Sequence, residues 1–178
     1  QFPMNSLYDT LYLSTKHDVQ KTNTEYFTIG SPDVPLNKSI MISLKPTLSY
    51  SKEKNTAVYR VSGRNGFAYC GGEWKNDRIQ FYTRDFGGFT ILSDTIPPTI
   101  RPIYVNQQSA RFKIQDNLSG IKSFEAKVNG EWILMHYDYK INTIWSERLD
   151  KSILMKGDFE LLVTDNAGNK AIYTQKIF

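Results

Sequence analysis

Cysteine occurs once in the 178 residues, at Cys70, so no disulfide can form within the chain and packing must hold the fold. A lone cysteine beside Tyr69 in a strand-like run reads as a small buried hydrophobe. Histidine occurs twice, at His17 and His136. A zinc hydrolase needs three protein ligands and an open position, usually with two histidines at close spacing. His17 has no partner at such a spacing, and His136 has only Asp138, two places on. There is no Gly-x-Ser-x-Gly elbow, and Ser62-Gly63 lies in a strand-to-turn passage with no helix after it. Gly63, Gly66, Gly71 and Gly72 are dense, but a phosphate cradle needs a helix N-terminus behind it, so turns and bulges account for them. No residue is therefore assigned a catalytic role, and the chain itself is expected not to be an enzyme.

Other absences narrow the partners. No apolar run approaches a membrane span, and no basic-then-apolar signal opens the chain. The formal charge is +4, yet Lys and Arg alternate with acids, as in Ser51-Lys52-Glu53-Lys54-Asn55. Without a basic block, nucleic acid is not expected as a partner. A salt-screened attraction to anionic envelope polymers is compatible with the excess charge. The chain begins at Gln1 rather than Met, which suggests a processed protein or an excised piece of a longer one.

What is present is β-forming. Apolar content is 40% and aromatic content 13%, with eleven Tyr and ten Phe, a composition that favours pleated, half-buried surfaces. The stretch Asp94 to Pro102 carries three prolines in six residues, which fix φ and remove backbone donors. It reads as a stiff hinge between two β-sandwich domains, residues 1–94 and 95–178, each large enough for its own core. In the first half, alternation predicts strands over Ser6–Leu13, Glu25–Ile29, Ser39–Leu44, Ala57–Val61, Phe67–Trp74, Arg78–Arg84 and Gly88–Ser93. Gly87-Gly88 reads as a tight reversal. In the second half the predicted strands are Ala110–Gln115, Ile121–Val128, Glu131–Tyr137, Thr143–Leu149, Phe159–Thr164 and Lys170–Ile177. Asn129-Gly130 is the sharpest hairpin signal, since a type I′ turn wants these two residues. No amphipathic helix is visible.

Two features suit binding. Tyr137, Tyr139 and Trp145, with Trp74, Tyr82 and Trp132 as further aromatics, would stack on sugar rings if they faced outward. At least one tryptophan is expected in a sandwich core instead. The Asx-rich turns Asp116–Gly120 and Asp165–Asn169 would offer Asp116, Asp165 and Asn169 to calcium if the turns met. The plainer reading is that each side chain closes its own turn.

Some of these residues also carry a family likeness. Arg84 to Ile91 running into Asp94-Thr95-Ile96-Pro97-Pro98 looks like the junction in bacterial multidomain envelope proteins, where an immunoglobulin-like module opens. Asp116 to Ile121 and Val163 to Asn169 resemble bacterial Ig-like domains. Val128 to Lys140 is similar to the C-terminal region of lysostaphin-like (LytM-type) zinc peptidases of Gram-negative anaerobes. The resemblance is strongest over about residues 80–178. It implies two tandem immunoglobulin-like β-sandwiches forming a non-catalytic accessory region of a peptidoglycan-hydrolysing metallopeptidase in the cell envelope. Zinc would then sit in an upstream catalytic domain, held by His-x-x-x-Asp and His-x-His segments that do not occur here. Its partners would be that domain and peptidoglycan or another envelope glycan. A carbohydrate-binding or adhesive module of a bacterial surface protein is the alternative.

Overall fold

The structure is a computed structural model that describes residues 1–52, 55–63, 66–150 and 152–178. Glu53 and Lys54 of the mixed-charge run lie outside the described residues. The protein is all-β, with two compact units, Gln1–Asp94 and Thr95–Phe178.

Among the described residues the first unit has eight strands: β1 (Thr15–Val19), β2 (Glu25–Ile29), β3 (Ile40–Leu44), β4 (Thr56–Ser62), β5 (Gly66–Gly71), β6 (Glu73–Lys75), β7 (Arg78–Thr83) and β8 (Gly87–Ser93). They form two antiparallel sheets, ordered β1-β2-β8-β4-β5 and β3-β7-β6. Alternation on β3 buries Ile40, Ile42 and Leu44, and β7 contributes Ile79 and Phe81 to the same core. These meet Phe27, Val58, Phe89 and Ile91 from the five-stranded sheet. Phe81 and Phe89 join the layers with ring centroids 5.0 Å apart.

Three expectations fail in this unit. Ser6–Leu13 is not a strand. Its apolar residues reported burial rather than pairing: Leu7 and Leu11 pack against the core, while Tyr8 and Tyr12 are exposed. Phe67–Trp74 is two strands in different sheets, because the chain crosses between layers at Gly71 (φ 74°) and Gly72 (φ 140°). At Gly72 a Cβ would stand 2.9 Å from the Ile79 side chain. Gly87-Gly88 is not a reversal but the start of β8.

Among its described residues the second unit has seven strands: β9 (Thr99–Val105), β10 (Ala110–Gln115), β11 (Ile121–Val128), β12 (Glu131–Asp138), β13 (Thr143–Glu147), β14 (Gly157–Asp165) and β15 (Lys170–Ile177). Their order is β15-β14-β11-β12-β13-β10-β9. The first, second, fifth and fourth strands form one layer and the third, sixth and seventh the other, which is the immunoglobulin arrangement. One strand belongs to both layers. β12 pairs with β11 through Glu131, Trp132 and Ile133, then with β13 from Leu134 to Asp138. Switching partners along a single strand is how a sandwich turns a corner.

Phenylalanine and tyrosine rings fill this core. Phe112 stacks on Phe159 at 5.5 Å, and Tyr173 meets Phe112 edge-on at 5.1 Å. Burying such a ring stabilises the fold by about 1.5–3 kcal/mol. Among the three tryptophans, Trp74 packs against the first unit's core, as at least one was expected to do in a sandwich.

The proline hinge is also shorter than read, because Thr99–Pro102 opens β9. Pro102 lies opposite Phe112, and a register shift between Arg111 and Phe112 passes over Ile103. β9 ends the sheet order, and an edge strand tolerates a residue without an N–H.

The β11–β12 hairpin turns at Asn129 (φ 50°) and Gly130 (φ 83°), both in the left-handed region a type I′ turn requires. The Asn129 side chain then clamps the approach to β14. Its Nδ2 donates to Lys156 O at 2.8 Å, and its Oδ1 accepts from Asp158 N at 2.9 Å. Gly157 (φ 114°) leaves the room, since a Cβ there would lie 2.0 Å from Asn129 Oδ1. Gly157→Ala combines backbone strain with that clash and should cost about 2–3 kcal/mol. Urea unfolding of the whole chain, followed at the amides of Phe112 and Leu161, measures it; an unchanged midpoint would refute the clamp.

Candidate binding site

Residues opposite one another in an antiparallel ladder share a face. The register Leu134↔Glu147 and His136↔Trp145 therefore places these four side chains together on the outer face of the second unit. His136 stacks on Trp145 at 5.5 Å, and its Nε2 meets Glu147 Oε2. Trp132 lies two residues before Leu134, on the same face, and is 58% exposed. Tyr137 sits opposite Ile144, on the other face, with its ring edge-on to Phe124 at 5.6 Å. Burial, and then the Asp138 charge, push its phenol pKa up. Tyr139 stands past the end of β12 and is exposed. Thus Tyr137 and Trp145 do not share one platform with Tyr139. Trp145 is grouped with His136, Glu147 and Trp132 instead.

Beside Trp132 the sheet splits. β13 ends at Glu147, and residues 148–150 leave β12 where Glu131–Ile133 has turned to pair with β11. The split opens a groove of about 400 Å³ walled by Trp132, Leu134, Leu149, Ile153 and Leu154. Leu149 and Ile153 are among the most exposed aliphatic side chains, at 85% and 66%. Solvent-facing apolar residues gathered on one concavity mark an interaction surface more than scattered ones do. The groove was not foreseen, because two distant segments form it through the β12 register. Its trace in the sequence is Ile153 and Leu154, apolar residues outside any predicted strand; Leu149 was expected to end the strand from Thr143, but β13 stops at Glu147.

The two Asx turns do meet. Asn166 N donates to Gly120 O at 3.0 Å and its Nδ2 to Ser119 O at 2.9 Å. A carboxylate oxygen of Asp116 and one of Asp165 lie within 4.8 Å of each other. Each carboxylate also closes its own turn. Asp116 Oδ2 accepts from Leu118 N at 3.0 Å and Gly120 N at 2.8 Å. Asp165 accepts from the Asn169 backbone N and Nδ2, both at 2.8 Å, so Asn169 presents donors rather than an oxygen to it.

In the first unit, His17 has a partner that local spacing did not reveal. Its Nε2 lies 3.7 Å from Oε2 of buried Glu25, and its ring stacks on Phe27 at 4.4 Å. Glu25 Oε1 accepts from Thr47 N (2.7 Å), Thr47 Oγ1 (2.6 Å) and Leu48 N (2.5 Å). Cys70 donates to Ala68 O, and burial pushes its thiol pKa up, away from the reactive thiolate.

The fold and this surface define an all-β tandem-sandwich protein with an exposed aromatic and aliphatic face. Over residues 1–94, more than half its length, the chain matches the family model of the Zu5-like domain, and it belongs to that family. The match ends before β9, so the groove lies outside it. No curated protein and no solved structure matches the chain.

Asp116→Ala orphans Leu118 N and Gly120 N, so the second unit should lose about 1–3 kcal/mol. If closing the turn is the role, denaturation gives the same loss in EGTA and in millimolar calcium. A loss seen only with calcium would make Asp116 a metal ligand.

Proposed function

We propose that this chain is a non-catalytic region of a cell-envelope protein that places a neighbouring peptidoglycan-hydrolysing zinc domain on its substrate. The observation that carries the reading is that each unit closes a separate core, with Thr95-Ile96-Pro97-Pro98 between β8 and β9. Self-contained modules joined through prolines suit a spacer or presenter. The family likeness over residues 80–178 supplies the envelope context. The mechanism is placement: a domain that holds the wall raises the effective concentration of a tethered enzyme there. Zinc and its ligands belong to the neighbouring domain in this reading, and peptidoglycan is the partner of the chain.

A second reading, a glycan-binding or adhesive module, is favoured by Trp132 and Tyr139, which face solvent at 58% and 70% exposure. Co-sedimentation with purified sacculi tests both. The purified chain should pellet with intact sacculi, and no binding would overturn the placement reading. Retention on sacculi stripped of their peptides, lost in a Trp132→Ala, Tyr139→Ala variant, would favour the glycan reading. In the parent protein, Pro97→Gly with Pro98→Gly should lower wall hydrolysis; unchanged hydrolysis counts against placement.

A further inference from the structure

We propose that the groove beside Trp132 captures an extended segment of a separate polypeptide, apolar at alternate positions and flanked by lysine or arginine, by adding it to the free edge of β12.

The backbone supplies the first half of the case. In the two-residue hairpin the Val128↔Glu131 pair is hydrogen-bonded, so the N–H and C=O of Glu131 and Ile133 point to β11. Those of Trp132 point the other way, as do those of Leu134 and His136, which face β13. The ladder with β13 starts at Leu134, and Leu149, which would face Trp132 if it continued, has left the sheet. Among the described residues Trp132 has no ladder partner on that side. One donor and one acceptor therefore open onto the groove, the arrangement by which an added strand is held. An acyl chain would leave both unsatisfied.

The side chains supply the second half. Trp132, Leu149, Ile153 and Leu154 make an apolar trough of about 400 Å³, within the range that receives a few side chains. Among the described residues its rim carries three carboxylates, Glu131, Glu147 (paired with His136) and Asp150, against two cations, Arg148 and Lys156. Arg148 is already turned to Ile153 O at 2.8 Å. Asp150 is held ionised: hydrogen bonds from Ser152, and then the Arg148 charge, lower its pKa. On a chain of net charge +4 the described residues of this rim carry an excess of acid, which complements a basic flank on the incoming strand. Strand addition gives affinity through the main chain, and the trough selects alternate apolar side chains.

The test is fluorescence anisotropy with the whole chain and a fluorescein-labelled peptide, Lys-Val-Thr-Val-Thr-Leu-Lys. It should bind saturably. A peptide with both lysines replaced by glutamate, and the Trp132→Ala and Leu154→Glu variants, should each bind about tenfold more weakly or worse. Both substituted side chains are exposed, and an otherwise unchanged amide spectrum confirms that the variants fold. An N-methyl group that removes the central peptide donor should weaken binding likewise. Absence of saturable binding overturns the proposal. So does binding indifferent to Trp132→Ala and to charge reversal, or displacement by a dodecyl chain that occupies the groove more tightly than the peptide.

Discussion

A strand has two edges and can pair only once on each, and the second unit depends on how β12 uses them. Its first three residues turn to β11 and its last five to β13, so a single strand ties the two layers of the sandwich together. The cost of the switch is local. Where β12 has joined β11 but not yet β13, the main chain of Trp132 has no ladder partner on the β13 side among the described residues, and the loop after β13 swings clear. The groove follows from the corner. So does the outer aromatic face, because the register that sets the corner also puts Trp145 opposite His136. The Asn129 clamp, held open for its amide by Gly157, fixes the turn that feeds this corner.

The first unit rests on a different kind of constraint. Buried Glu25 gathers three donors from Thr47 and Leu48 on one oxygen, while its other oxygen has no hydrogen-bond partner among the described residues and faces His17. Its backbone oxygen accepts from Thr90 Oγ1 at 2.7 Å. A carboxylate out of water is costly unless its lone pairs are used. Here they pin the segment after β3 to the start of β2 in the five-stranded sheet. Removing the carboxylate would leave two part-buried backbone N–H groups, of Thr47 and Leu48, without this acceptor. Such loss exceeds the modest net worth of a hydrogen bond.

Much of the fold was legible because its signals are local. Asn129-Gly130 announced its own turn through the positive φ both residues adopt, and β11 and β15 were readable end to end from alternation. Strands disguised by proline or glycine were not. Pro102 made an edge strand look like hinge, and Gly71-Gly72 hid a crossing between sheets inside one apolar run. Ser6–Leu13 misled in the opposite direction, because Leu7 and Leu11 are apolar for packing rather than for pairing. The candidate site was half visible. Trp132 and Trp145 stood out as aromatics, but which face each occupies depends on the β12–β13 register, which no single segment encodes. The carboxylate beside His17 was hidden for the same reason, since Glu25 reaches it across a hairpin.

The central claim is that β12 changes partners between Ile133 and Leu134 and leaves the Trp132 backbone open. Amide hydrogen exchange in the native chain tests it residue by residue. The account predicts slow exchange at Ile133, bonded to β11, and at Leu134 and His136, bonded to β13, with Trp132 exchanging orders of magnitude faster between them. Protection at Trp132 equal to that of Leu134 would mean that the ladder with β13 continues past the corner, and that the groove has no free strand edge to offer.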